Sequence, residues 1–168
     1  EDGIRDTSVT GVQTCALPIY NNLGTAATTG YLQWSDGTTW NSSGVAPTLN
    51  AWNHVAWTKS STTVKLWLNG VNVYTYGSAY SPANTNRTLS IGAADDGTVK
   101  YSGYISNFRV VKGTALYASS FTPSTTPLIA TTNTTLLTCN NNKFADLSAG
   151  NLSPTVNGTP VEIGRAHV

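Results

Sequence analysis

Acid is scarce in this chain, and its scarcity excludes more than any motif includes. Between residues 20 and 161 there is no Glu, and the only acids are Asp36, Asp95, Asp96 and Asp146. Hydrolysis of a glycosidic bond needs two carboxyl groups flanking the scissile bond, and these four show no alternating spacing that would bring a pair onto one strand face. Histidine is as sparse: His54 and His167 are the only two. With no G-x-S-x-G turn to present a nucleophile, a Ser-His-Asp arrangement has no candidate either. Lys59, Lys65, Arg87, Lys100, Arg109, Lys112 and Lys143 form neither a run nor a basic stripe interleaved with aromatics, so no nucleic acid partner is expected. No apolar stretch approaches a bilayer span, which excludes membrane insertion by a helix. No segment has helical periodicity beyond a single turn at 114–119.

The two ends read differently from the middle. Thr14 to Ile19, TCALPI, can be encoded by ACG TGT GCT CTT CCG ATC, and the reverse complement of that DNA, in another frame, encodes Ile163 to Val168, IGRAHV. The termini can thus be one DNA sequence read from opposite strands, and that sequence matches a short-read library adapter. Residues 1–19 and 162–168 are therefore read as adapter-derived, and the chain as an open reading frame from an environmental assembly fragment. They are set aside from functional reasoning as a fusion scar would be. Cys15 goes with them, leaving Cys139 alone, so no internal disulfide is expected. Residues 20–161 suffice for one domain of ordinary size.

What is present is strand. Trp52 to Tyr76, WNHVAWTKSSTTVKLWLNGVNVYTY, reads as three consecutive strands. Val64, Leu66 and Leu68 alternate with Lys65, Trp67 and Asn69, the period of a strand with one buried face. Asn69-Gly70 follows, the pair that a two-residue type I′ hairpin turn demands. Trp52, Val55, Ala56 and Trp57 form a run apolar on both faces, placed near the sheet centre, with Trp52 and Trp57 in the core. Tyr31 to Trp34, Asp36-Gly37 and Thr38 to Trp40 give a second hairpin. Thr88 to Ala93 and Tyr101 to Lys112 are further strands, the latter with Ile105 out of step at a bulge. Gly77 to Arg87 crosses outside, and Pro123 to Pro127 reads as an exit linker.

W-N-H-V-A-W-T-K followed by V-K-L-W-L-N-G resembles the central hairpin of laminin G-like domains, of the concanavalin A-like jelly-roll class. L-S-I-G-A-A-D-D-G, then G-Y-I-S-N-F-R-V-V-K-G-T-A-L-Y, resembles the closing strands of the same family. The resemblance covers roughly residues 31 to 123 and implies an all-β, antiparallel, concanavalin A-like jelly-roll β-sandwich missing its first strands. Residues 20–134 are read as that partial jelly roll. Leu136 to Ser148, LLTCNNNKFADLS, resembles the opening of another repeat with an F-x-D-x-S turn, so residues 135–161 are either the start of a second repeat or closing strands of the same sandwich.

For function, the resemblance implies a non-catalytic carbohydrate-binding or adhesive module of a larger phage virion or extracellular protein, binding glycans or cell-surface polysaccharide beside further repeats in the same chain. The alternatives are a structural spacer without ligand and an ancillary domain of a glycoside hydrolase or lyase. Sugar C–H faces stack on aromatic rings, which makes Trp34, Trp40 and Trp67 the carbohydrate-binding candidates. Trp67 is placed on solvent or a groove because it points away from Val64, Leu66 and Leu68. Asp95 and Asp96 are hard oxygen donors on a loop and the candidates for Ca²⁺, or else plain turn residues. His54 is read as a packed structural histidine.

Overall fold

The computed structural model describes residues 9–15 (backbone only), 30–35, 39–77, 89–93, 97, 100–141 and 143–162. Its strands are β1 (Val9–Cys15), β2 (Gln33–Ser35), β3 (Trp40–Ser42), β4 (His54–Ser60), β5 (Thr63–Leu68), β6 (Val71–Tyr76), β7 (Ser106–Lys112) and β8 (Thr134–Thr138), and no helix occurs among the described residues. A six-stranded sheet has the order β6-β5-β4-β1-β7-β8, and β2-β3 forms a separate hairpin. Each of these pairings is antiparallel.

The central hairpin forms as its turn chemistry dictates. Asn69 and Gly70 both take positive φ, 50° and 82°, and β5 folds back on β6 with Leu66 opposite Tyr74 and Val64 opposite Tyr76. A register shift between Leu66 and Trp67 lets the edge strand twist. On the other side Trp57 pairs with Leu66, and Ala56 with Trp67. Side chains alternate across a strand, so Val55, Trp57, Val64, Leu66, Phe108 and Val110 share one face of the sheet. His54, Ala56, Thr58, Lys65, Trp67 and Arg109 share the other.

The first face is covered by the β2-β3 hairpin. Trp34 packs on Val64 and Leu66, with Leu32, Trp57, Val73, Tyr74 and Tyr76 around them. Its ring meets Tyr76 edge-on at 5.3 Å, a favoured aromatic geometry. Farther along this face Phe108, Val110 and Leu136 form a second cluster with Ile91.

The second face is covered by the segment that precedes the expected exit linker. The strand-free chain after β7 crosses it, and Tyr117 and Phe121 stack with ring centroids 3.4 Å apart. Phe121 lies 5.8 Å from the Trp67 ring and 5.2 Å from His54. Phe121 N donates to Gly70 O at 3.0 Å, and Lys65 Nζ donates to Ala118 O at 3.0 Å. The prolines signalled a break in strand pairing correctly. They could not show that two aromatics just before them would serve as a cover needing no ladder.

Two further strands differ in detail from the expectation. β7 begins at Ser106, not Tyr101, and its register shifts against β1 around Asn107, where φ is 57°, not at Ile105. Asn107 there accepts Leu128 N on Oδ1 at 2.8 Å, so the irregularity anchors the covering segment. β8 pairs with β7 and forms the sheet edge. The F-x-D-x-S turn folds directly onto that edge: Leu147 N donates to Leu137 O at 2.7 Å, while Asp146 Oδ1 accepts Leu137 N at 2.9 Å. A carboxylate thus stands in for the missing neighbour strand and blunts the edge.

The slot between β4 and β7 is occupied by β1, whose residues belong to the stretch read as adapter-derived. Gly11 to Cys15 run against Thr58 to His54, and Val9 to Cys15 against Lys112 to Ser106.

Candidate functional site

An open pocket of about 310 Å³ lies at the end of the sheet where β4 begins, lined by Trp52, Asn53, His54, Asn69, Ser106, Pro123, Ser124 and Thr125. Four separate pieces of chain build it: the run into β4, the β5-β6 turn, the start of β7 at Ser106, and the covering segment after Phe121.

A network of amides makes its floor rigid. Asn53 is 1 % exposed. Its Nδ2 donates to Thr48 O at 2.8 Å and Ala51 O at 3.0 Å, and its Oδ1 accepts Thr48 N and Asn69 Nδ2, both at 3.1 Å. Those bonds use the full capacity of an amide side chain. Asn69 Oδ1 accepts His54 N at 2.8 Å, and Asn69 N donates to His54 O at 2.8 Å. The W-N-H and N-G motifs are therefore locked together.

His54 is buried in this wall, as a packed histidine should be, but it is unusual in its bonding. Neither ring nitrogen has a hydrogen-bond partner among the described residues. The ring meets Phe121 and Tyr117 in edge-to-face contacts at 5.2 and 5.9 Å. Burial, reinforced by the positive charge of Arg109 and only partly opposed by the residue's own backbone dipole, lowers its pKa to about 4. The imidazole is therefore neutral at pH 7. Arg109, also buried, donates from Nη1 to Ile129 O at 2.9 Å and is not part of the lining.

At the pocket mouth Trp52 is 63 % exposed and Tyr104 53 % exposed, with ring centroids 6.4 Å apart. This corrects the expectation that Trp52 belongs to the core. The strand begins at His54, and Asn53 turns inward to cap the loop, so the apolar run does not continue to Trp52.

Trp67 is corrected in the opposite sense. It does point away from Val64 and Leu66, but that face is covered by Tyr117 and Phe121, and Trp67 is 1 % exposed. Its Nε1 donates to Thr58 Oγ1 at 2.8 Å, so it presents no face to a ligand. Trp34 is buried under the β2-β3 hairpin and offers none either. Trp40, on β3, is 64 % exposed and is the one sequence candidate with a free ring face. Asp95 and Asp96 lie outside the described residues, as does the Asp36-Gly37 hairpin tip.

Asp146 is the buried carboxylate that is described, and its acceptors are taken. Besides Leu137 N, it accepts Ser148 N, Ser148 Oγ and Leu152 N, each at 2.8 Å. Burial raises its pKa, but those backbone and hydroxyl donors outweigh it and hold the carboxyl below its ordinary value. This is the chemistry of a structural turn.

Against known proteins, the family model of the concanavalin A-like lectin/glucanases superfamily, Laminin G 3, matches residues 12–120. The chain belongs to that superfamily. The laminin G-like jelly roll implied by the two hairpin motifs is thus the fold, an antiparallel all-β sandwich. No curated protein and no solved structure matches significantly. The match ends inside the covering segment, just before Phe121, and so spans the main walls of the pocket without its Pro123 to Thr125 rim.

Sequence reasoning missed Trp52, Tyr104 and the amide floor. W-N-H gave no signal for Trp52, because strand alternation would put Trp52 and His54 on one face, and only the start of β4 at His54 separates them.

Proposed function

We propose that this domain is a non-catalytic carbohydrate-binding or adhesive module of a larger phage virion or extracellular protein, and that the pocket beside Trp52 is its sugar site. The observation that carries the reading is the pairing of the exposed Trp52 and Tyr104 rings, inclined at 52° to each other, with a lining of amides and hydroxyls that contains no carboxylate among the described residues. Aromatic faces match the C–H faces of pyranose rings, and amides and hydroxyls match their alcohols. Attack on a glycosidic bond would need acid groups, and the described lining holds none. Further laminin G-like repeats in the intact protein would raise a weak single-site affinity by avidity. Ca²⁺ bound through Asp95 and Asp96 belongs to the same proposal.

A glycan array probed with the full chain, with and without Ca²⁺, tests it. Retention of a set of glycans that is lost in Trp52→Ala and kept in Trp67→Phe supports the reading. Loss of retention on chelation assigns a role to the metal. A folded chain that retains no glycan under either condition is a spacer, and the proposal fails.

A further inference from the structure

Independently of what the pocket binds, we infer that Asn157 is a site of spontaneous deamidation, and that the same Asn-Gly pair at Asn69, in the pocket wall, is held out of that reaction by the fold. Asn-Gly occurs twice in the chain, at Asn69-Gly70 and at Asn157-Gly158. Glycine carries no Cβ to shield its backbone nitrogen, so a preceding carboxamide can reach it.

The reaction needs only water. Gly158 N attacks Asn157 Cγ and forms a C–N bond; the bond from Cγ to Nδ2 breaks, and Nδ2 leaves as ammonia with the proton given up by Gly158 N. Water then opens the five-membered imide. Cleavage at Cγ leaves aspartate, and cleavage at the Asn157 backbone carbonyl leaves isoaspartate, in which the chain runs through the side chain. Nothing is oxidised or reduced. Either product carries a carboxylate, which lowers the formal net charge at pH 7 by one unit from +1 and removes what little repulsion keeps copies apart.

Asn157 has the freedom that ring closure requires. Closure swings the carboxamide onto the next peptide nitrogen, which rotates the side chain and the backbone of the Asn together. Residues 151–162 are exposed and lie outside every strand. No hydrogen bond to a described residue holds Asn157 or Gly158. A Cβ built on Gly158 would meet nothing within 4 Å, so the attacking nitrogen is uncrowded.

Asn69 is exposed as well, so access to water does not separate the two pairs. Fixation does. Asn69 Oδ1 accepts His54 N at 2.8 Å, its Nδ2 donates to Asn53 Oδ1 at 3.1 Å, and its backbone N donates to His54 O at 2.8 Å. Gly70 is buried, its O accepts Phe121 N at 3.0 Å, and a Cβ on it would collide with Phe121 O. Both the carboxamide and the peptide it would have to reach are therefore clamped, one by the amide floor and the other by the covering segment.

The test incubates the full chain in mildly alkaline buffer, folded and in urea, and maps tryptic peptides 66–87 and 144–165 by tandem mass spectrometry. Lys65, Arg87, Lys143 and Arg165 set those cuts, and each peptide holds one Asn-Gly. In the folded chain, modification at Asn157 should outpace that at Asn69 by about tenfold or more, since both side-chain hydrogen bonds of Asn69 must break first. In urea the two rates should converge. Isoelectric focusing of the folded chain should show an acidic band that grows with time and is lost in Asn157→Gln. Equal rates in the folded chain, or a gap that persists in urea, overturn the protection of Asn69 by the fold. No gain of mass at Asn157, a gain in 144–165 that falls on Asn151 instead, or an acidic band that grows unchanged in Asn157→Gln overturns Asn157 as the site.

Discussion

Acid should unfold this domain earlier than its scarcity of carboxylates would suggest, and His54 is the reason. The folded imidazole titrates at about 4 against 6.5 for the free side chain. Lowering the pH through that window makes the unfolded chain take up a proton that the folded chain refuses, so stability must fall with pH there. The contribution is fully present above pH 6.5 and lost progressively down to about 4. A displacement of that size corresponds to roughly 3 kcal/mol, which solvent at the pocket mouth trims to about 2–3 kcal/mol. The groups facing the ring do not offset it: Arg109 is a cation on the same face, Lys65 reaches Ala118 O, and the Tyr117 and Phe121 rings are uncharged at these pH values. The assay is urea unfolding at half-unit steps from pH 7 to 4, for the parent and for His54→Phe, with Trp fluorescence as the signal. The parent should lose stability across this range, and His54→Phe should hold nearly constant and exceed the parent at pH 5. Parallel curves for the two proteins would refute the reasoning, because they would place the titrating group elsewhere.

Other changes isolate single contacts. Gly70 has φ 82°, and a Cβ there would stand 1.8 Å from Phe121 O, so Gly70→Ala should cost about 2–4 kcal/mol and shift Trp67 emission to the red as the covering segment lifts. Asp146→Asn removes the ionised acceptor of four hydrogen bonds and should cost about 1–3 kcal/mol at pH 7. Because the folded Asp146 pKa is lowered, its contribution is present above the unfolded value of 3.8 and lost only as pH falls through the lower folded one, below the His54 window; urea curves extended to pH 2 would show it. Trp67→Ala should cost about 3–5 kcal/mol, whereas Trp52→Ala, at an exposed position, should stay within about 0.5 kcal/mol, a contrast that thermal melts resolve directly.

The fold was legible where local chemistry and long-range packing agree. Asn69-Gly70 has a backbone requirement that few other pairs meet, and Val64, Leu66 and Trp67 were placed on the correct faces by period alone. What period cannot give is the far side of each face. Trp67 was assigned the right direction and the wrong environment, since its burial depends on Tyr117 and Phe121, some fifty residues later, in a stretch with no periodicity to mark it. Trp52 failed for the complementary reason: an apolar residue at the edge of a strand pattern inherits the pattern on paper, and only the inward turn of Asn53 shows that the strand has not begun. The site suffered most, because it is assembled from two strand starts, a turn and a coil. Each of those has a sequence explanation that stops short of the pocket they make together.

The same logic bears on β1. A sheet whose two halves meet at β4 and β7 presents two unpaired backbone edges to the slot between them, and a ladder is written in N–H and C=O groups that every non-proline residue carries. V-T-G-V-Q-T-C is rich in β-branched residues and free of proline, so it satisfies that slot on backbone terms whatever DNA encoded it. Its registers with β4 and β7 and its reading as adapter-derived are therefore compatible, and they separate on deletion. A chain begun at Tyr20 leaves both inner edges open, and open edges recruit other chains; it should aggregate where the full chain does not, and a peptide of residues 8–16 added in trans should restore a monomeric species by size exclusion. If the shortened chain is monomeric and melts as the full one does, the two halves close on each other without β1, and the slot was never a structural requirement.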